Sequence, residues 1–236
     1  MKRIPGLPLI VALTLSLPLA SAFAAELVVI KSTAQAYQPG QQVAAGAKIA
    51  LGKGETLTLL SQSGKPISFK GPFDGVAADS GGGDANLLKR ISVFMREQKA
   101  GGAKLGATRD GGGPTSGEIW AINAEKSGTY CVADGKTANF WREGKSGKGS
   151  ASVKEVARNK RGDLRWKAGE PLTAWPDGVP LKDGGEYLVQ MQGAFTASRL
   201  TVHLVPGGLD GPVREAAYMI DKGCREQAQL LLESLG

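Results

Sequence analysis

Residues that could carry out chemistry are few in this chain. Its single histidine, His203, lies among alternating apolar residues in Thr-Val-His-Leu-Val, a setting in which histidine is more often structural than catalytic. The sequence holds no second histidine and no spare thiol to complete a metal site. It also has no Gly-x-Ser-x-Gly nucleophile elbow, and no pair of carboxylates stands out for glycoside hydrolysis. The sequence therefore predicts no catalytic residue, no metal ligand and no cofactor, and favours a protein that is not an enzyme.

A glycine-rich stretch occupies residues 100–117, and such a stretch can form a phosphate-binding loop. It holds seven glycines together with Pro114, Thr115 and Ser116. It lacks the Lys-Ser/Thr ending of a P-loop and opens no helix, so phosphate binding is not expected. Its composition is typical of a linker, and it is the clearest domain boundary in the chain.

The only cysteines are Cys131 and Cys224. An even number of cysteines in an exported chain favours a disulfide, and the wide separation of this pair is unlike the Cys-x-x-Cys spacing of redox-active sites. We therefore predict a structural Cys131–Cys224 bond. Closing so long a loop would stabilise the fold by about 4–5 kcal/mol in the chain-entropy model.

Positive charge is concentrated between residues 136 and 167, a segment that contains ten Lys or Arg residues and only three acidic residues. A basic face could contact lipid phosphate, an acidic glycan or an acidic protein. The alternative is a set of solvated hairpin edges on which Lys and Arg prevent pairing between molecules. Nucleic acid is not an expected partner because no DNA- or RNA-binding motif is present. The predicted binding face comprises Lys136, Arg142, Lys145, Lys148, Lys154, Arg158, Lys160, Arg161, Arg165 and Lys167.

The first 25 residues have the pattern of a secretory signal peptide. Lys2 and Arg3 precede an apolar segment at residues 7–19, and small residues end at Ala25. A membrane anchor is the weaker alternative, because the segment is shorter than the roughly 20 residues of a span and contains prolines. We therefore expect cleavage after Ala25 and a periplasmic or secreted protein.

Short β-type runs separated by glycines follow the signal peptide. Alternating apolar residues and Gly turns predict a small sheet or barrel, with strands at residues 26–31, 41–48, 56–60 and 66–70.

Residues 79–83 then form a joint, and Asp84 is a suitable N-cap for a helix at residues 84–99. An apolar stripe at helical spacing predicts that this helix packs on the β module: Leu87, Leu88, Ile91, Phe94 and Met95.

The second half of the chain returns to a strand pattern at residues 118–206, which predicts a β-sandwich of immunoglobulin-like size. Eight strands are expected, at residues 119–122, 129–133, 138–142, 150–156, 163–167, 172–175, 186–192 and 200–205. All four tryptophans lie here and are interpreted as core residues, with an aromatic platform for sugar as the alternative: Trp120, Trp141, Trp166 and Trp175. Residues 210–236 then predict a helical hairpin, with Pro212 at a helix start and Gly223 at a helix end.

The first β module resembles the FecR-type periplasmic domain over about 45 residues. The features that match are Gly46, Ile49, Gly52, Gly54, Leu57, Leu59, Gly64, Phe69, Gly71 and Pro72. Segments such as IWAIN, TYCV and DKGCREQAQLLL are similar to a group of secreted bacterial proteins that carry an N-terminal FecR-like module. This resemblance implies a membrane-associated signalling protein as partner. FecR proteins that signal to sigma factors cross the inner membrane through a helix. The sequence predicts no such helix here, so that mechanism is not implied.

The sequence thus predicts a mainly β protein: a FecR-like module at residues 26–78, a connecting helix, a linker, a β-sandwich and a C-terminal αα-hairpin. Its predicted function is non-enzymatic binding or scaffolding of an envelope protein. The alternative is a carbohydrate or cell-wall binding module that uses its tryptophans and the basic face. The basic face could also bind an anionic lipid surface.

Overall fold

The computed structural model describes residues 26–77, 83–102, 119–142 and 147–235. Three of the features predicted above lie wholly or largely outside these residues: the signal peptide at 1–25, the joint at 79–83 and the linker at 100–117. Among the described residues, no helix combines the length and the apolar character that crossing a membrane requires.

The N-terminal β unit contains six short strands. They are β1 (Glu26–Ser32), β2 (Gln42–Ala44), β3 (Lys48–Leu51), β4 (Thr56–Leu60), β5 (Pro66–Lys70) and β6 (Phe73–Val76). Four of them form an antiparallel sheet in the order β2-β1-β4-β5, and β3 pairs with β6. Residues 41–48 were predicted as one strand but belong to two, since β2 ends at Ala44 and β3 begins at Lys48. Gly46 between them has a φ of 81°, which interrupts the extended conformation. Strand β6 was not predicted.

Strands β1 and β4 are buried on both faces, which explains their nearly continuous apolar sequences. Leu27, Val29, Leu57 and Leu59 face the core between the two small sheets. The opposite face of the same strands packs against helices through Val28, Ile30 and Leu60.

The first of these helices is α1 (Ala85–Gly102). Its start is as predicted, since Asp84 Oδ1 accepts the backbone N–H groups of Asn86 at 2.9 Å and Leu87 at 3.1 Å. The predicted apolar stripe of α1 is buried, which confirms the helical period read from the sequence.

The C-terminal β unit has eight strands, in agreement with the predicted sandwich. They are β7 (Ile122–Asn123), β8 (Gly128–Ala133), β9 (Asn139–Trp141), β10 (Gly149–Glu155), β11 (Arg161–Trp166), β12 (Leu172–Ala174), β13 (Gly185–Met191) and β14 (Ser198–Val205). One sheet has the order β11-β10-β13-β14-β8, and the other has the order β12-β9-β7. The core between them includes Trp175, which stacks on Phe140 at 5.0 Å and meets Tyr187 edge-on at 4.8 Å.

The chain ends in the predicted helical pair, α2 (Pro212–Lys222) and α3 (Arg225–Glu233), with Gly223 between them at a φ of 86°. These helices and α1 form one layer between the two β units. Polar contacts tie the layer together, including Arg225 with Glu97 at 2.8 Å and Gln98 with Gln229 at 2.9 Å. A single apolar cluster therefore runs from β1 and β4 through the helices to Cys131 on β8.

Candidate binding surface

The predicted disulfide is confirmed, and it joins β8 to the start of α3. Cys131 and Cys224 are fully buried and lie 93 residues apart in sequence. Next to the bond, the side-chain amide of Gln227 contacts the backbone of the edge strand β8. Helix α3 thereby covers the end of the sheet at which β8 lies.

The outer face of the five-stranded sheet is consequently divided. Helices α2 and α3 cover the end formed by β8 and β14, and Cys131 on β8 is fully buried beneath them. At the other end of the sheet, β10 and β11 present Lys154, Arg161 and Arg165 on the face opposite the core. The open surface is therefore the part of the sheet made by β13, β10 and β11.

Four of the predicted basic residues are brought together at the β10–β11 hairpin. Lys154 lies directly opposite Arg161 in the strand register, and Arg158 and Lys160 occupy the turn. The neighbouring carboxylate is that of Glu155, which is 3% exposed and 3.8 Å from the Arg158 guanidinium. Lys154 is partly exposed and the other three cations are exposed. We call residues 154–161 the basic hairpin.

The remaining predicted cations do not join this hairpin. Lys148, Arg165 and Lys167 lie at the opposite end of β10 and β11, because the register pairs Gly149 with Trp166. Lys136 occupies the turn after β8. Lys145 lies outside the described residues.

Two of these cations have acidic neighbours. Arg165 is 4.0 Å from Asp163, and Lys167 is 3.6 Å from Glu170. Exposed pairs of this kind contribute little to stability, about 0–1 kcal/mol.

Arg142 is buried and cannot present its charge on a surface. Its side chain is 7% exposed, donates to the Gly147 carbonyl and lies with its guanidinium carbon 5.6 Å from the centre of the Trp166 ring. The sequence pattern could not reveal this, because a Phe-Trp-Arg-Glu segment at a strand end is compatible with either orientation of the arginine. The ten cations therefore do not form one continuous face.

His203 is held in a structural arrangement. Its Nδ1 lies 3.0 Å from Asp183 Oδ1, which also accepts the backbone N–H of Leu204 at 3.0 Å. The Leu204 hydrogen bond, followed by that of His203, lowers the pKa of Asp183. Among the described residues, no group of three or more His, Cys, Asp or Glu is placed to hold a metal ion.

The tryptophans are largely enclosed. Trp141 and Trp166 are 3% and 2% exposed, and Trp120 and Trp175 are partly buried against the cores. In the part of the chain that the structure describes, Phe195 in the loop between β13 and β14 is instead fully exposed. Phe195 was not among the predicted site residues, although a phenylalanine flanked by Ala and Thr between two predicted strands was the available signal.

A long depression also runs along the open face of the sheet, with a volume of about 600 Å³. We call it the polar trough and define it by six side chains: Ser150, Ser152, Asp163, Arg165, Gln190 and Gln192. A smaller cavity of about 210 Å³ lies between α3 and the β7–β8 loop, where Lys126 pairs with Glu226 at the rim. It is below the size of roughly 300–1,000 Å³ that is common for ligand sites.

No family model matches the chain, and no curated protein matches it.

Proposed function

We propose that this chain is a non-enzymatic, exported protein of the cell envelope that binds or scaffolds another protein through its basic hairpin. The observation that carries the proposal is the local excess of positive charge. Lys154, Arg158, Lys160 and Arg161 lie within eight residues, and the neighbouring Glu155 is buried. Such a field favours an acidic partner surface and accelerates the encounter with it.

Two further observations support export. The first 25 residues have a signal-peptide pattern, and a Cys131–Cys224 disulfide is typical of oxidising compartments. If the FecR-like resemblance of residues 37–75 carries over, the partner is a membrane-associated signalling protein of the envelope.

The test is a charge reversal at the basic hairpin that leaves the ion pair of Arg158 and Glu155 intact. The triple variant Lys154→Glu, Lys160→Glu and Arg161→Glu would be compared with the wild type in crosslinking and affinity purification from envelope fractions. The matched control reverses three exposed cations of the N-terminal unit, Lys53, Lys65 and Lys70.

The wild type and the control are expected to retain the same envelope protein, and the basic-hairpin variant is expected to lose it. Binding measured with the purified partner should weaken as salt is raised, because salt screens exposed charges. Equal capture by all three proteins, or capture of nothing by the wild type, would reject the proposal.

A cell-wall binding module that uses tryptophans is the second candidate. Because Trp141 and Trp166 are buried, such a module would have few exposed tryptophan rings with which to contact a sugar. Sedimentation with isolated sacculi, compared between the wild type and the basic-hairpin variant, tests this candidate. A module that uses the tryptophans and the basic face should co-sediment as the wild type and fail to do so as the variant.

A further inference from the structure

The polar trough has a simple origin in the sequence of its three strands. Along the outer face of β10, the small Ser150 and Ser152 precede Lys154, whereas the strands on either side carry longer side chains beside the two serines. Ser152 lies between Asp163 on β11 and Gln190 on β13 in the strand register. Two rows of long side chains with serines between them produce a depression along the sheet.

The dimensions of the trough suit an elongated ligand of moderate width. Neighbouring strands are about 4.8 Å apart, so the three strands span roughly 10 Å, and successive rows on one face are about 7 Å apart. The volume of about 600 Å³ lies within the range of small-molecule sites, roughly 300–1,000 Å³.

The polar groups in the trough include both donors and acceptors of hydrogen bonds. Asp163 supplies carboxylate oxygens and Arg165 a planar guanidinium, and their side chains are 75% and 83% exposed. Gln190 is held in place because its amide nitrogen donates to the Ala194 carbonyl at 2.6 Å. Among the described residues, the Ser152 hydroxyl makes no hydrogen bond.

The trough lies on a face of the sheet rather than at an edge. The backbone groups of β10 are already paired with β11 on one side and β13 on the other. A peptide that binds by adding a strand requires an open edge, so this mode is not available here. Recognition must occur through side-chain groups.

An exposed aromatic residue directly follows the lining of the trough in sequence. Gly193 and Ala194 contribute to its lining, and the next residue is Phe195, which is fully exposed. An aromatic ring offers an apolar face that can cover the C–H groups of a ligand, and the adjoining hydroxyl, carboxylate, amide and guanidinium groups can bind its hydroxyls.

We propose that the polar trough and Phe195 form a binding site for a saccharide chain. A saccharide presents closely spaced hydroxyl groups and apolar C–H faces, which match these side chains. The site shares the outer face of β10 and β11 with the basic hairpin, whose Lys154 and Arg161 form the row next to Ser152 and Asp163. No residue of the hairpin lines the trough, so the inference goes beyond the proposed function.

Binding would be measured by calorimetry and by amide NMR shifts on the full mature protein. The probes are chitohexaose, which is neutral, and hexagalacturonate, which is acidic. Phe195→Ala removes the ring, and Ser152→Gln fills the floor of the trough with a polar side chain. The matched controls in the N-terminal unit are Val76→Ala and Ser68→Gln, at exposed positions.

At least one probe is expected to bind with a dissociation constant of about 1 mM or tighter, and each trough variant should weaken it about tenfold. The control variants should bind as the wild type does, and the basic-hairpin variant should bind chitohexaose, which is neutral, as the wild type does. Absence of binding to both probes would overturn the inference, as would equal binding by Phe195→Ala and Ser152→Gln. Binding of hexagalacturonate alone that disappears in the basic-hairpin variant would overturn it too.

Discussion

Gln227 on α3 is hydrogen-bonded to the backbone of Cys131 on β8 as a neighbouring strand would be. Its Oε1 accepts the Cys131 N–H at 2.7 Å, and its Nε2 donates to the Cys131 carbonyl at 2.9 Å and to the Ile119 carbonyl at 2.7 Å. The side chain is only 4% exposed. One glutamine thereby supplies hydrogen-bond partners to backbone groups at the edge of the sheet, beside the disulfide, where no further strand among the described residues pairs with β8.

Replacing this glutamine should destabilise the protein strongly. Gln227→Leu leaves three buried backbone groups without partners, two of Cys131 and one of Ile119, each at a cost of about 1–3 kcal/mol. A total loss of about 3 kcal/mol or more is therefore expected in urea unfolding. The control is Gln229→Ala on the same helix, which should cost less than about 1 kcal/mol because its partners remain accessible to water. Similar losses in the two variants would contradict the edge-covering role.

Removing the disulfide should also lower stability. The double variant Cys131→Ala, Cys224→Ala releases a connection across 93 residues, and we expect the free energy of unfolding to fall by about 2–5 kcal/mol. Reductant should destabilise the wild type by a similar amount and leave the double variant unchanged. A reductant effect on the double variant would show that the loss has another origin.

Gly71 is required by a close approach of two backbone segments. A Cβ at this position would lie 1.8 Å from the Gly52 carbonyl oxygen, which cannot move without shifting the turn before β4. Gly71→Ala should therefore destabilise the N-terminal unit by about 2 kcal/mol or more in chemical denaturation. Gly207→Ala is the control, since a Cβ there meets no atom within 4 Å, and its effect should be small.

Stability should depend on pH through Asp183. Its pKa is lowered in the folded state, so the carboxylate stabilises the fold fully above its unfolded pKa of 3.8, and this contribution is lost as pH falls through the lower folded value. Unfolding measured from neutral to acidic pH should show Asp183→Asn less stable than the wild type near neutrality. The difference should shrink below about pH 4.

The exposed carboxylate variant Asp177→Asn is the control for this experiment and should follow the wild type across the range. A difference between Asp183→Asn and the wild type that stays constant with pH would assign the loss to geometry rather than to charge.

Most of the secondary structure could be predicted because it is encoded locally. The alternation in Ser150 to Glu155 and the helical stripe from Leu87 to Met95 place apolar groups on one side of each element, and both patterns are confirmed. Strand β6 was missed because Phe73 to Val76 is short and contains a glycine. Its pairing with β3 depends on residues more than twenty positions away.

The candidate site was much less predictable. A count of charges placed Lys154, Lys160 and Arg161 in a binding face but included the buried Arg142 as well, because a guanidinium over a tryptophan ring leaves no signal in the sequence. The polar trough was missed entirely. Its serines, glutamines and the Asp163–Arg165 pair come from three strands separated in the chain.

By itself, the sequence determined the β-rich character of this protein, its helical end and the pairing of its two cysteines, since periodicity, turn residues and a count of thiols suffice for these. Only the tertiary structure decided which half of the sheet is open and which side chains meet there. Strand register and helix docking bring distant residues together, and a single shift in register would turn Ser152 and Asp163 toward the core.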